Sequence, residues 1–342
     1  MLDIERHLCH TNPTMKHSTH SSDRRGFLKK ALFGAGFLVG SGCVNSTAFA
    51  APEATPNTHP VRRQVRIGGP LFGDNLGDPE VWARTAKAQG YRAVYAPKVG
   101  LNDLPRIQAF VRAAEENDLV IAEVGRWVNL MEADEQKRKK NFDTVAEGLA
   151  LADELNARCC VDIAGSFSTE HWDGPHVKNM TREHLEAAAE NARKLIDTVK
   201  PKRTKFAYEM MGWMYPYSPD SYLELIKAID RKAFGVHLGI CNTINSPEKF
   251  WNTPALIHEA FDKLGPWIAS AHAKDLRWVR EFNIHFVECE IGKGTIDFTT
   301  YIRRLAALEH DVPLMIEHMK DQQEYERCRD YLLAIVKKET AG

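Results

Sequence analysis

From residue 61 to residue 339 the chain alternates between two hydrophobic patterns. Short, nearly continuous apolar runs have the length of strands buried in a parallel sheet, and the longer stretches between them carry apolar residues at intervals of three and four, as amphipathic helices do. The runs predict strands within residues 61–71, 91–96, 119–124, 158–164, 204–210, 235–241, 270–275 and 313–317. The periodic stretches predict helices at residues 79–89, 104–116, 134–156, 181–199 and 254–264, one opening at Ser218-Pro219, and two more after Asp297 and after the last strand. Phe142, Val145 and Leu149 mark the buried stripe of the third helix, and Leu185, Ala188, Ala192 and Leu195 that of the fourth. Ser218 followed by Pro219 is an N-cap with proline at the first helical position. Tyr325, Cys328, Leu332 and Ile335 recur at helical spacing and are expected to be core. The segment between strand seven and Asp297 shows neither pattern and is expected to be irregular.

Eight strand-helix units in about 280 residues match a (β/α)8 TIM barrel in order and size. An open doubly wound sheet is the alternative, but no glycine-rich dinucleotide fingerprint follows the first strand. In a (β/α)8 barrel the active site gathers at the C-terminal ends of the strands, so those ends are where chemistry is sought.

Residues 1–50 read differently. Asp23-Arg24-Arg25-Gly26-Phe27-Leu28-Lys29-Lys30, an apolar run over residues 31–39 and Ala48-Phe49-Ala50 resemble a twin-arginine leader with a small-residue cleavage site, although Asp23 stands where Ser or Thr is usual. The expected partner is the twin-arginine export machinery, and the expected location periplasmic or secreted. Lipid anchoring at Cys43 is the alternative to cleavage after Ala50. The apolar run is too short for a stable membrane span. Residues 51–60, with Pro52, Pro56 and Pro60, read as a linker.

Composition narrows the partners. The whole chain has a net charge of −1, and without residues 1–50 it carries 39 basic against 43 acidic residues, about −4. That balance argues against nucleic acid and offers phosphorylated ligands no general attraction. Cys159, Cys160, Cys241, Cys289 and Cys328 are odd in number and irregularly spaced, which is not a disulfide framework. No oligomeric state is legible.

Acid or imidazole side chains close three of the strands: Glu209 in Phe206-Ala207-Tyr208-Glu209-Met210, His272 in Ser270-Ala271-His272-Ala273-Lys274-Asp275, and Glu317 in Leu314-Met315-Ile316-Glu317-His318. Two carboxylates and a neutral imidazole suit a divalent cation, Mn²⁺ or Mg²⁺ first, with Co²⁺ or Zn²⁺ as alternatives. Taken singly, a strand-end Glu is usually a salt-bridge or capping residue, and a His on an apolar strand a satisfied core group. Period-two alternation places Lys274 on the face of His272.

Several segments sharpen this. Gly68-Gly69-Pro70-Leu71-Phe72, Asp78-Pro79-Glu80-Val81-Trp82-Ala83, Gly90-Tyr91-Arg92-Ala93, Ala152-Asp153-Glu154-Leu155, Ala164-Gly165-Ser166, Ser218-Pro219-Asp220-Ser221-Tyr222, His272-Ala273-Lys274-Asp275 and Gly292-Lys293-Gly294 together resemble the sugar phosphate isomerase/epimerase group of xylose-isomerase-like barrels, from about Arg66 to Tyr331. The resemblance implies that Glu209, His272 and Glu317 ligate a metal together with a carboxylate from strand six. There the chain departs from its relatives: Val236-His237-Leu238-Gly239 stands where they read Val-His-Leu-Asp. Glycine has no side chain to ligate with, so the fourth place is empty, water-filled or supplied by a neighbour. His237 and Asn242 are candidates to approach metal or substrate; their alternatives are a barrel-interior residue and a turn former. Trp127, His171, Trp172, His176, Trp213 and Lys274 follow strand ends and are candidate sugar contacts, with loop packing as the alternative.

The expected activity is proton abstraction next to a sugar carbonyl, with Glu209 and Glu317 as acid/base pair. Isomerisation, epimerisation and β-elimination from a keto-glycoside all pass through the same enediolate. A sugar-binding protein that has lost its catalytic metal is the rival, and Gly239 is its best support. A barrel nuclease is a more distant third.

Overall fold

The structure, a computed structural model, describes residues 64–340. The expected leader and linker, and the first three residues of the expected barrel segment, lie outside them. Among the described residues the strands are β1 (Ile67–Gly69), β2 (Ala93–Tyr95), β3 (Val120–Gly125), β4 (Cys159–Asp162), β5 (Lys205–Glu209), β6 (Phe234–Leu238), β7 (Ile268–Ala273), β8 (Asp275–Trp278), β9 (Phe286–Cys289) and β10 (Leu314–Ile316). Strands β1 to β7 and β10 pair in parallel, each beside its neighbour in the chain. The register Ile67↔Leu314 joins β1 to β10 and closes the barrel.

The helices are α1 (Pro79–Ala88), α2 (Leu104–Glu116), α3 (Glu135–Glu154), α4 (Arg182–Val199), α5 (Pro219–Ile229), α6 (Pro247–Trp251), α7 (Thr253–Leu264), α8 (Phe298–Ala306) and α9 (Gln322–Thr340). Their starts follow local chemistry. Asp78, Asp103, Asp134, Ser218 and Asp297 each accept a backbone N–H from the first turn of the helix they precede. Apolar stripes such as Leu185, Ala188, Ala192 and Leu195 on α4 are buried against the strands. Phenols inside that layer find partners: Tyr222 donates to the Tyr208 carbonyl at 2.6 Å, and Tyr301 to the Leu238 carbonyl at 3.1 Å.

The elements refine the expectation in several places. The first strand is only three residues long. Strand six stops at Leu238, because the chain turns at once: Asn242 N–H donates to the Gly239 carbonyl and Thr243 N–H to that of Ile240. The segment expected to be irregular contains the antiparallel hairpin β8–β9. It is held by Phe286 stacking on Phe250 at 4.5 Å, and by Asp275, whose carboxylate accepts the N–H groups of Leu276, Gly292, Gly294 and Ile296. The short α6, capped by Ser246, is also absent from the sequence pattern, since five residues are too few to show a period. Cys159, Cys160, Cys241, Cys289 and Cys328 are free thiols. Among the described residues no helix is long and apolar enough to cross a membrane.

Candidate active site

Glu209 is the last residue of β5, His272 lies one residue from the end of β7, and Glu317 follows β10 directly. The barrel brings them together: one ligand atom from each falls within 4.8 Å of the others. His272 Nδ1 is 2.7 Å from Glu317 Oε1 and 3.7 Å from Glu209 Oε1. The closer pair is not aligned as a hydrogen bond, and both atoms are buried without an aligned hydrogen-bond partner. Two potential lone-pair atoms held this close call for a proton on one of them or a cation beside both.

What orients Nδ1 lies beneath it. Glu123, in mid-β3, is fully buried and accepts from His272 Nε2 at 3.0 Å through Oε1; its Oε2 meets His237 Nε2 and the Ser270 hydroxyl, each at 3.0 Å. An ionised carboxylate only accepts, so in the neutral imidazole the hydrogen belongs on Nε2 and the Nδ1 lone pair points up toward Glu209 and Glu317. Such an imidazole–carboxylate contact fixes the orientation and basicity of a ligating histidine. Sequence reasoning missed Glu123. Its available signal was one acid inside the otherwise apolar run Leu119-Val120-Ile121-Ala122-Glu123-Val124.

Neighbours above the cluster complete it. Glu209 Oε2 accepts from the Trp127 indole at 2.8 Å, and its Oε1 from the Asn242 amide at 2.9 Å. Lys274 Nζ is 3.0 Å from Glu317 Oε1 and 3.6 Å from Glu288 Oε1 on β9. Burial raises the Glu209 carboxyl, but nearby His272 and Lys274 outweigh it and hold the group below the usual carboxylate range; Glu317 is likewise lowered. Burial lowers His272, yet Glu123 and Glu317 outweigh it and hold the imidazole well above its ordinary value. The cluster therefore attracts positive charge, as a proton or as a metal ion.

The residues fit a divalent cation: two carboxylates with a free lone pair each, a bare Nδ1, and a carboxylate behind the imidazole. Glu209, His272 and Glu317 would hold it. No side chain at residue 239 adds a fourth ligand. The Asn242 amide lies there instead, its nitrogen 3.5 Å from the point a residue-239 Cβ would occupy.

A cavity of about 890 Å³ opens above the cluster. Glu209, His272, Glu317, Lys274, Asn242 and Trp172 line it, as do Trp127 and Trp213. The structure does not bring His237 or His176 to it. His237 is fully buried on Glu123, below the cluster, and His176 caps a short turn by accepting the Lys178 N–H. His171 lies on a separate, smaller depression.

A closed (β/α)8 barrel with a carboxylate-imidazole-carboxylate pocket at its C-terminal mouth defines the class of protein. The Xylose isomerase-like TIM barrel family model matches residues 83–335, and the chain belongs to that family. A curated relative, an uncharacterized protein of Methanocaldococcus jannaschii, is 23% identical over 213 residues, 61% of this chain and 67% of its own. Among solved structures, a xylose isomerase-like TIM barrel protein from Mycobacterium smegmatis in complex with magnesium has a TM-score of 0.57 at 17% identity, covering 81% of this chain and 98% of that one. D-Psicose 3-epimerase with D-tagatose from Clostridium cellulolyticum has a TM-score of 0.58 at 12% identity, covering 81% and 99%. Endonuclease IV from Thermus thermophilus has a TM-score of 0.58 at 15% identity, covering 80% and 99%. One barrel thus carries a sugar epimerase and a nuclease, so function is argued from side chains.

Proposed function

We propose that this protein is a metal-dependent isomerase or epimerase-type enzyme that removes a proton next to the carbonyl of an unphosphorylated keto-sugar. The observation that carries the reading is the convergence of Glu209, Glu317 and the bare His272 Nδ1 at the floor of one cavity. Glu209, His272 and Glu317 would hold a divalent cation such as Mn²⁺ or Mg²⁺ there, which would supply Lewis-acid stabilisation of the negative charge that proton removal leaves on the substrate.

The protein's own groups do the rest. Glu209 and Glu317 come from separate strands of the barrel, β5 and the end of β10, so one carboxylate takes the proton and the other returns it to the second face, or to the adjacent carbon. Trp127 and Asn242 fix Glu209 through its two oxygens. Lys274 holds Glu317 ionised and offers its remaining hydrogens to a substrate hydroxyl. The epimerase relative carries D-tagatose, a ketohexose, which supports a substrate of that kind. The export leader expected from residues 1–50 is in keeping with a sugar that carries no phosphate.

The test is metal removal and hydrogen exchange. After chelation the protein should wash no deuterium from D₂O into the carbon beside a ketose carbonyl, and adding Mn²⁺ should restore the exchange. A purified protein that takes up no divalent ion after reconstitution, yet binds sugar, would favour the second reading, a sugar-binding protein. Gly239 supports that reading, since it leaves three protein ligands.

A further inference from the structure

The floor of the cavity accounts for carbonyl chemistry but not for the outer wall. At about 890 Å³ the cavity sits near the upper end of pockets that enclose a whole drug-sized molecule, larger than one sugar ring requires. Trp127, Trp172 and Trp213 line it and remain 41%, 45% and 41% exposed. Leaving three indoles wetted forfeits apolar burial that loop packing would otherwise recover. None of the three makes a ring contact with another aromatic side chain among the described residues.

Two of these indoles are anchored through the ring N–H while staying partly exposed. Trp127 donates to Glu209 Oε2 and so stands beside the reacting groups. Trp213, on the loop after β5, donates at 2.7 Å to the carbonyl of Asp173, the residue next to Trp172 on the loop after β4. That bond draws Trp172 and Trp213 into one sector of the rim. The C–H face of a pyranose stacks on such a surface, whereas a phosphate has no use for it.

We propose that Trp172 and Trp213 form a second-ring subsite, and that the substrate is a keto-disaccharide or keto-glycoside. Its carbonyl-bearing ring lies over Glu209, His272 and Glu317 beside Trp127, and its second sugar stacks on Trp172 and Trp213. The inference rests on the sugar reading above and adds the class of sugar.

The experiment compares binding of D-fructose with that of disaccharides built on it, namely turanose, maltulose, lactulose and isomaltulose, to the metal-loaded full chain by calorimetry and indole fluorescence. At least one disaccharide should bind about tenfold or more tightly than D-fructose, the size of one good aromatic stacking contact. Trp172→Ala and Trp213→Ala should each lower the disaccharide-to-fructose affinity ratio by about that factor, and Trp213→Phe should keep most of it. Equal affinity for D-fructose and all four disaccharides overturns the subsite, as does a ratio unchanged in both alanine variants. Tighter binding of D-fructose 6-phosphate than of any disaccharide also overturns it, and would direct attention to Lys98 on the loop after β2. Absence of binding by every sugar, D-fructose included, removes the sugar reading itself and the subsite with it.

Discussion

The floor and the rim of this cavity are made from different parts of the chain. The floor consists of strand residues whose positions the barrel register dictates: Glu123, Glu209 and His272 on β3, β5 and β7, with Glu317 just beyond β10. They are buried and bound to one another. The rim consists of loop residues, with tryptophan faces open to solvent. A fixed floor sets what reaction can occur, because catalytic groups must keep their geometry to within a fraction of an ångström. An open rim sets what can enter. Substitutions below should therefore change rate and metal affinity, and substitutions above should change sugar preference.

The largest effect belongs to the floor. Glu317→Gln keeps the shape of the side chain but removes its basicity. It should reduce solvent-deuterium exchange into a ketose by about 10²- to 10⁴-fold, the usual contribution of a positioned acid/base group. Exchange at the wild-type rate would take Glu317 out of the chemistry and break the division of labour.

Next is Glu123→Gln. Its oxygens hold His272 and His237, so an amide there can present a donor where the imidazoles need an acceptor. Metal affinity should fall about 10- to 100-fold by calorimetry, as when the partner of a ligating histidine is lost. A far-ultraviolet circular dichroism spectrum like that of the wild type would show that the barrel survives. Unchanged affinity would reduce Glu123 to packing.

How legible these two acids were differs for a physical reason. Glu209 and Glu317 close apolar strands, so a polar side chain at a barrel mouth could be read from the sequence alone. Glu123 is in mid-strand, and the partners that explain it lie 114 and 149 positions away, so no local pattern could reveal it. The barrel itself was plain because its rhythm repeats eight times. The β8–β9 hairpin was not, because it interrupts that rhythm and depends on Phe250 and on one carboxylate gathering distant N–H groups. Tryptophans after strand ends were visible as candidates. Only the fold shows that Trp172 faces the cavity while His176, four residues on, is spent on a turn.

Gly125→Ala tests the joint between floor and rim. A Cβ at Gly125 would lie 2.0 Å from the Trp127 ring, so the indole must leave Glu209. We expect a loss of about 1–3 kcal/mol in thermal unfolding, typical of overpacking, together with red-shifted fluorescence from a wetter indole. Wild-type stability and emission would show that Trp127 has another resting place.

The smallest effect is expected at Gly239, and its smallness is informative. Unlike Gly125, Gly239 is not held to glycine by its surroundings. Its φ lies outside the left-handed region, and an added Cβ would meet nothing nearer than the Asn242 amide nitrogen at 3.5 Å, an ordinary contact. Gly239→Ala should thus leave metal affinity within about twofold and shift stability by less than about 1 kcal/mol, toward stabilisation if the lost freedom of the unfolded chain dominates. That outcome, read by calorimetry and thermal unfolding, would mean that backbone geometry does not require glycine here, and that the missing carboxylate is a matter of site chemistry. A longer acid is a different case: the carboxylate of Gly239→Asp would have to enter the space that Asn242 holds while bonded to Glu209 and to the Met210 carbonyl. A large loss from the alanine alone would instead place residue 239 among the rigid parts of the floor.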